Sequence, residues 1–196
     1  MSLREQRRAE TQAAIQSHAV RLFTERGYDA TTVNDVAAAA GVSPMTLYRH
    51  FPTKEDLVLH DQHNRLVAER IAATPVGMPL VRRIGRSLVE SVATLDQRFL
   101  LARLQLMITA PALRAKHLDN NYTLQQAIVQ AVLGERAADR DADFRAQAAA
   151  SACLAAMHIA LVRWAAEDGR PDLPALIAEA LVAAFGEEVM SVPGNG

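Results

Sequence analysis

Cationic and hydroxyl side chains gather at two places early in the chain. Arg4, Arg7 and Arg8 crowd its start, and Ser43, Thr46, Tyr48, Arg49, His50 and Lys54 fall within residues 43–54. Arginine and lysine meet phosphate as charges, and hydroxyls and free backbone N–H groups donate to its oxygens, so both groups suit a nucleic-acid backbone. For the N-terminal arginines a solvated polar face is an equally good reading. Residues 1–60 hold seven basic and seven acidic side chains, so any attraction must come from placement rather than net charge.

Residues 32–51 supply the elements that position them. Thr32 is a good N-cap, and Asp35 at the third helical position can reach back as a capping box. Val33, Val36, Ala37 and Ala40 then share one helical face. Gly41 follows where a left-handed backbone ends a helix most easily. Ser43 caps a second helix, and Pro44 fits its first position, where no N–H is needed. Val42 and Leu47 hold the two helices together, and Phe51 joins the core. The pattern predicts a helix-turn-helix, which puts a helix end into the major groove of double-stranded DNA. Ser43, Pro44, Met45, Thr46 and Tyr48 lie on its outward face, with Met45 able to touch a thymine methyl. Tyr48 could instead pack against the first helix, since an amphipathic aromatic can do both.

The segment from Thr11 to Leu57 resembles the N-terminal domain of the TetR family of bacterial transcriptional regulators. The resemblance runs through Ala19, Leu22, Phe23, Gly27, Tyr28, Thr31-Thr32-Val33, Asp35-Val36-Ala37, Ala40-Gly41-Val42-Ser43, Thr46-Leu47-Tyr48, His50-Phe51 and Lys54-Glu55-Asp56-Leu57. It implies that Thr32, Tyr48, His50 and Lys54 contact backbone phosphates and that Thr46 and its neighbours read bases. Met45 stands where the family often has a small residue, which leaves the base preference open.

Half of the 196 residues are apolar, with Ala and Leu dominant over β-branched types, which favours helices. The lone cysteine, Cys153, excludes an internal disulfide and suits a reducing cytoplasm. No basic-then-apolar leader is visible, so no secretory signal is expected. The apolar run 148–162 is too short to span a bilayer and reads as a buried core helix, so no membrane partner is expected.

Helical patterns fill the rest of an all-α chain. The expected spans are 4–26, the two motif helices, and a fourth helix from Thr53 to Ala73 with Leu57, His60, Asn64, Val67 and Ile71 on one face. Further helices are expected from about 81 to 95, at 99–109, 122–133 and 143–168, and after Leu173. Residues 74–79 (TPVGMP) form the best boundary. They divide a DNA-binding domain at 1–73, connecting helix included, from a ligand-binding and dimerisation domain at 78–188, with 189–196 a flexible tail.

A homodimer is expected, because two modules on a two-fold axis read a palindrome. The last two long helices are the candidates, with Ala149, Ala152, Ala156 and Ala160 allowing close approach across a four-helix interface; the monomer core could also consume them. By resemblance, the C-terminal domain holds a mostly apolar effector pocket. Leu104, Met107, Ile108, Tyr122, Gln125, Met157, His158, Leu161 and Trp164 are candidates to line it, or plain core. The region also resembles mycofactocin-type regulators, a branch associated with acyl-CoA-like ligands. Arg82, Arg83 and Arg86, with Arg103 and Arg114, could hold phosphates at a pocket mouth or form a solvated face. The implied function is a repressor released from its operator by a small, largely apolar or acyl-type effector, with the fourth helix as the lever. The alternative is a helical small-molecule-binding protein without operator-specific DNA binding. No phosphate loop, nucleophile elbow or Cys–His pairing suggests an enzyme, and no cofactor is expected. His60 and His63 are at most a chance metal half-site.

Overall fold

The computed structural model describes residues 3–59, 63–75, 77–134 and 139–190, and every regular element among them is a helix. The helices are α1 (Leu3–Arg26), α2 (Val33–Ala39), α3 (Pro44–His50), α4 (Asp56–Leu59), α5 (His63–Ala73) and α6 (Leu80–Val92). They continue with α7 (Gln97–Thr109), α8 (Pro111–Leu133), α9 (Arg140–Ala166), α10 (Leu173–Phe185) and α11 (Glu187–Met190). The chain forms two compact units: Met1–His60 with Arg98–Leu118, and Asp61–Gln97 with Asp119–Gly196.

The first unit is organised by α1. Ile15, Ala19, Leu22 and Phe23 recur at helical spacing and are all buried, so α1 offers one continuous apolar stripe. Val36, Ala37, Leu47, Phe51, Leu57 and Val58 pack on it, with Leu106, Ala110 and Leu113 from the later segment. Gly27 ends α1 at φ +91°, and the buried Thr31 hydroxyl donates to the Gly27 carbonyl at 2.9 Å. An orphan carbonyl beyond the helix end is thereby satisfied.

The second unit is organised by α9, which packs on α6 and α10. Ala146, Ala150, Cys153, Leu154, Met157, Leu161 and Trp164 form its buried face. By length and composition α9 could cross a membrane, but half of its most apolar window is buried inside the protein. The expected apolar run thus sits within a longer helix, Arg140–Ala166, capped by Asp139, whose carboxylate accepts from Asp141 N and Ala142 N at 3.0 and 3.1 Å.

Several expectations change. The boundary at residues 74–79 separates two helices of the same unit, because α5 and α6 pack on each other. Arg83 Nη2 donates to the Ile71 carbonyl at 3.1 Å, and Arg70 and Glu90 approach to 3.7 Å. Arg82 and Arg83 are buried and form no solvated face, while Arg82 and Arg86 line a concavity of about 590 Å³ between α6, α10 and α11. Arg82 Nε donates to the Val189 carbonyl at 2.7 Å, so each guanidinium serves a backbone carbonyl of a neighbouring helix. Burial depresses the Arg83 pKa. Only Arg86 of the three is exposed, and it pairs with Glu90 at 2.7 Å. Helix α8 begins at Pro111, eleven residues before the expected start at Tyr122, with the proline in the first turn. Its apolar residues form no single stripe, because Leu113 enters the first unit's core while Ile128 and Val129 are buried in the second unit.

The fourth helix is described as α4 and α5. Leu57, Val67 and Ile71 are buried as expected, whereas His60 and the side chains of His63 and Asn64 lie outside the described residues. The short helix α11 reaches past the expected end of its domain at 188, and of the expected tail residues 191–196 lie outside the description. Gly85 lies mid-helix in α6, where an added Cβ would come 2.9 Å from Met190 Cε and 3.1 Å from Leu181 Cδ1. The missing side chain is what lets Met190 sit down on α6.

Candidate nucleic-acid interface

Helix α2 opens with a complete capping box. Asp35 N donates to Thr32 Oγ1 at 3.1 Å, and Thr32 N donates back to Asp35 Oδ2 at 2.8 Å. The Thr32 hydroxyl and amide hold the Asp35 carboxyl below its ordinary range. The sign follows from the depressed value: this cap is at full strength above the ordinary aspartate range and is lost as pH falls through the lower folded value. The turn passes through Gly41 at φ +67°. Ser43 caps α3, accepting from Thr46 N at 3.1 Å while its hydroxyl donates to Thr46 Oγ1 at 3.0 Å, and Pro44 takes the first turn. These contacts fix the axis of α3 before any partner arrives.

Helix α3 is sharply two-faced. Leu47 is fully buried and Phe51 caps the end inside the core, while Met45 is 80% and Tyr48 49% exposed. Ser43, Pro44 and Arg49 are exposed, and Thr46 and His50 are half-buried. Tyr48 therefore projects outward rather than packing fully on α1. Thr32 is exposed at the α2 start, with its hydroxyl 2.6 Å from Asp35 Oδ2.

Lys54 is differently placed from a free phosphate ligand. Its ammonium donates to the Tyr28 carbonyl at 2.6 Å and lies 4.2 Å from the Tyr28 ring centroid and 5.5 Å from that of Phe23. Tyr28 Oη in turn donates to Glu55 Oε1 at 2.9 Å, and burial together with the Glu55 carboxylate keeps this phenol neutral by raising its pKa. Lys54, Glu55 and Tyr28 thus tie the segment before α4 to the end of α1. The sequence does not announce this tie, since its members lie 26 and 27 positions apart.

Arg4, Arg7, Arg8 and Thr11 line a concavity of about 430 Å³ together with Arg49 and His50. The two cationic groups noted in the sequence therefore meet in one place. Thr11 was missed, although Arg4, Arg7, Arg8 and Thr11 follow the i, i+3, i+4, i+7 spacing of one helix face, which was the available signal.

The nine effector candidates divide between the units. Leu104 and Met107 are buried and Ile108 is 37% exposed in the first. In the second, Met157 and Leu161 are buried, Gln125 and His158 are half-buried, and Tyr122 is 64% exposed. Trp164 is a core residue: it is 1% exposed, and its indole N–H donates to the Pro171 carbonyl at 2.9 Å. Of the expected alanine stripe on α9, Ala149 and Ala160 are consumed by the unit's own packing, whereas Ala152 is exposed.

A capped turn, a two-faced second helix and flanking cations define a helix-turn-helix DNA-binding module. Residues 15–60 match the bacterial regulatory proteins of the tetR family, and residues 77–184 match the MftR C-terminal domain. The chain belongs to the TetR family of transcriptional regulators, with an MftR-type C-terminal domain. Among curated relatives it is 26% identical to the transcriptional regulator TcmR of Streptomyces glaucescens, covering 73% of this chain and 68% of TcmR. It is 36% identical to the transcriptional repressor Rv3405c of Mycobacterium tuberculosis over 47% of this chain and 55% of that protein. Among solved structures, Thermus thermophilus FadR, a TetR-family repressor in complex with lauroyl-CoA, superposes with a TM-score of 0.53. It is 24% identical, covering 94% of this chain and 99% of FadR.

Proposed function

We propose that this regulator is a cytoplasmic repressor that binds a palindromic operator as a homodimer and leaves it when an acyl-type effector binds. The carrying observation is α3: Leu47 and Phe51 anchor it in the core while Met45, Thr46 and Tyr48 face outward. In this reading Met45 and Thr46 meet base edges. Thr32, Ser43, Tyr48, Arg49 and His50 meet phosphates, Pro44 shapes the start of α3, and Lys54 orients the module through Tyr28.

Dimerisation is supported by the outer face of α9. Phe144 and Ile159 are 74% and 66% exposed, with Ala148, Ala152 and Ala155 exposed between them at helical spacing. An apolar stripe with small residues at its centre suits a self-complementary helix contact. The effector class is supported by the MftR-type domain and by the lauroyl-CoA carried by the FadR relative. Tight effector binding to an operator-incompetent state must weaken operator binding reciprocally, and a coupling of about 1–3 kcal/mol changes affinity about 5–150-fold.

The test is competition binding of duplex fragments from beside the gene, with and without a long-chain acyl-CoA. A palindromic fragment should outcompete random duplex, and the acyl-CoA should release it. Equal affinity for every duplex at low ionic strength overturns operator recognition. Equal acyl-CoA affinity with and without operator overturns the coupling.

A further inference from the structure

We propose that the concavity between α6, α10 and α11 is a binding site for a single-chain amphiphile with one carboxylate head, the chemistry of a free fatty acid. It lies wholly within the second unit, and none of the nine effector candidates lines it. It is therefore a second site, and it does not rest on the effector reading.

Three helices build a mostly apolar trough. Met78 and Val89 line it at the two ends of α6, Ala178, Leu181 and Val182 line it from α10, and Met190 closes it from α11. Gly85 adds bare backbone to the wall. A Cβ there would come 2.9 Å from Met190 Cε, so the missing side chain lets α6 and α11 meet at this end. The volume of about 590 Å³ falls within the roughly 300–1,000 Å³ of small-ligand sites. Such a wall suits an apolar chain, and each methylene that leaves water on binding strengthens affinity about fourfold.

The charged lining residues are Arg82, Arg86, Glu90 and Glu187, two of each sign. A lining with no net charge does not suit a polyanion such as an oligophosphate. Burial decides which charge counts most. Arg82 is 9% exposed, whereas Arg86 and Glu187 are exposed and Glu90 is half-buried and paired with Arg86 at 2.7 Å. Water and salt screen the rim charges, but they screen the Arg82 guanidinium much less, so the field inside the trough is positive. Arg82 Nε donates to the Val189 carbonyl at 2.7 Å, which orients the guanidinium plane against α11. A guanidinium has five N–H donors, so one carboxylate can share it with that carbonyl. One buried cation beside an apolar trough matches one anionic head on one apolar chain.

Calorimetric titration of the full-length protein with dodecanoate, below its micelle-forming concentration and at about pH 8 where the head is ionised, tests the site. Saturable binding is expected. Decanoate, two methylenes shorter, should bind about tenfold more weakly. Dodecanol, which lacks the charge, should also lose about tenfold or more. Arg82→Met keeps the stem and should remove the preference for dodecanoate over dodecanol. Ala178→Phe fills the trough without touching Arg82 and should abolish binding of both, with circular dichroism showing each variant folded. Absence of saturable binding, equal affinity for decanoate and dodecanoate, or dodecanoate binding unchanged in both variants overturns the proposal. So does a change of oligomeric state in Ala178→Phe, which would assign the trough to a second copy of the chain. Binding to anionic phospholipid vesicles without saturable dodecanoate binding would make it a membrane contact and overturns the proposal equally. Operator preference and release by acyl-CoA are read separately, on duplex fragments, and stand or fall without this site.

Discussion

On α1 and α3 of the first unit, the residues left outside are Arg4, Arg7, Arg8, Met45, Tyr48 and Arg49, around a core filled by Phe23, Leu47, Phe51 and Leu57. On α9 of the second unit, the residues left outside include Phe144, Ala148, Ala152, Ala155 and Ile159, while Trp164 is the largest side chain inside. On α1 and α3 the first unit turns four guanidiniums outward beside Met45 and Tyr48, as a surface that meets a polyanion does. The other leaves large apolar groups in water, which a solitary helix face has no reason to do. The difference teaches that partner class is written in what a unit fails to bury.

The comparison can be broken at its core first. Trp164→Ala removes a fully buried ring and its bond to Pro171, and should cost about 3–5 kcal/mol of stability, read from chemical denaturation. A loss below about 1 kcal/mol would mean that Trp164 is not the anchor its burial indicates. Next in size, Ile159→Asp should convert dimer to monomer in sedimentation. Losing an apolar contact of about 1.5 kcal/mol on each of two symmetric copies weakens association more than about 100-fold. An unchanged dimer would place the interface elsewhere. Lys54→Met keeps the aliphatic stem and removes the ammonium from Tyr28, at a cost of about 1–2 kcal/mol. All duplexes should bind less tightly. A salt slope lower by about 1 would show that Lys54 also meets a phosphate, and an unchanged slope that it acts through Tyr28 alone. Smallest of all, Gly85→Ala should leave global stability within about 1 kcal/mol. Helix propensity gains about what Met190 loses, and amide exchange in α11 should quicken as Met190 is pushed off.

Much of the first unit was legible because its signals are local. Thr32 with Asp35, Gly41, and Ser43 with Pro44 act within four residues of one another, so spacing alone specifies the turn. The tie of Lys54 to Tyr28 is not legible in the sequence, because that partner is distant along the chain and contributes a carbonyl, which every residue has. In the second unit the elements were legible and their roles less so. The fates of Arg82 and Arg83 depend on the carbonyls of Val189 and Ile71, which no periodicity encodes. The first turns of α8 were hidden because its apolar residues serve two units, so no single stripe marks them. The arginine cluster was half visible: each part was noted, but their convergence with His50 is a property of the fold.

Cys153, the chain's single thiol, is fully buried on α9, with Sγ 3.7 Å from the Val81 carbonyl, and burial pushes its pKa up to about 12. Peroxide and disulfide reagents therefore meet no thiolate while α9 stays seated. That makes the residue inert as an oxidant sensor and valuable as a reporter, since each modified molecule records one parting of α9 from its neighbours.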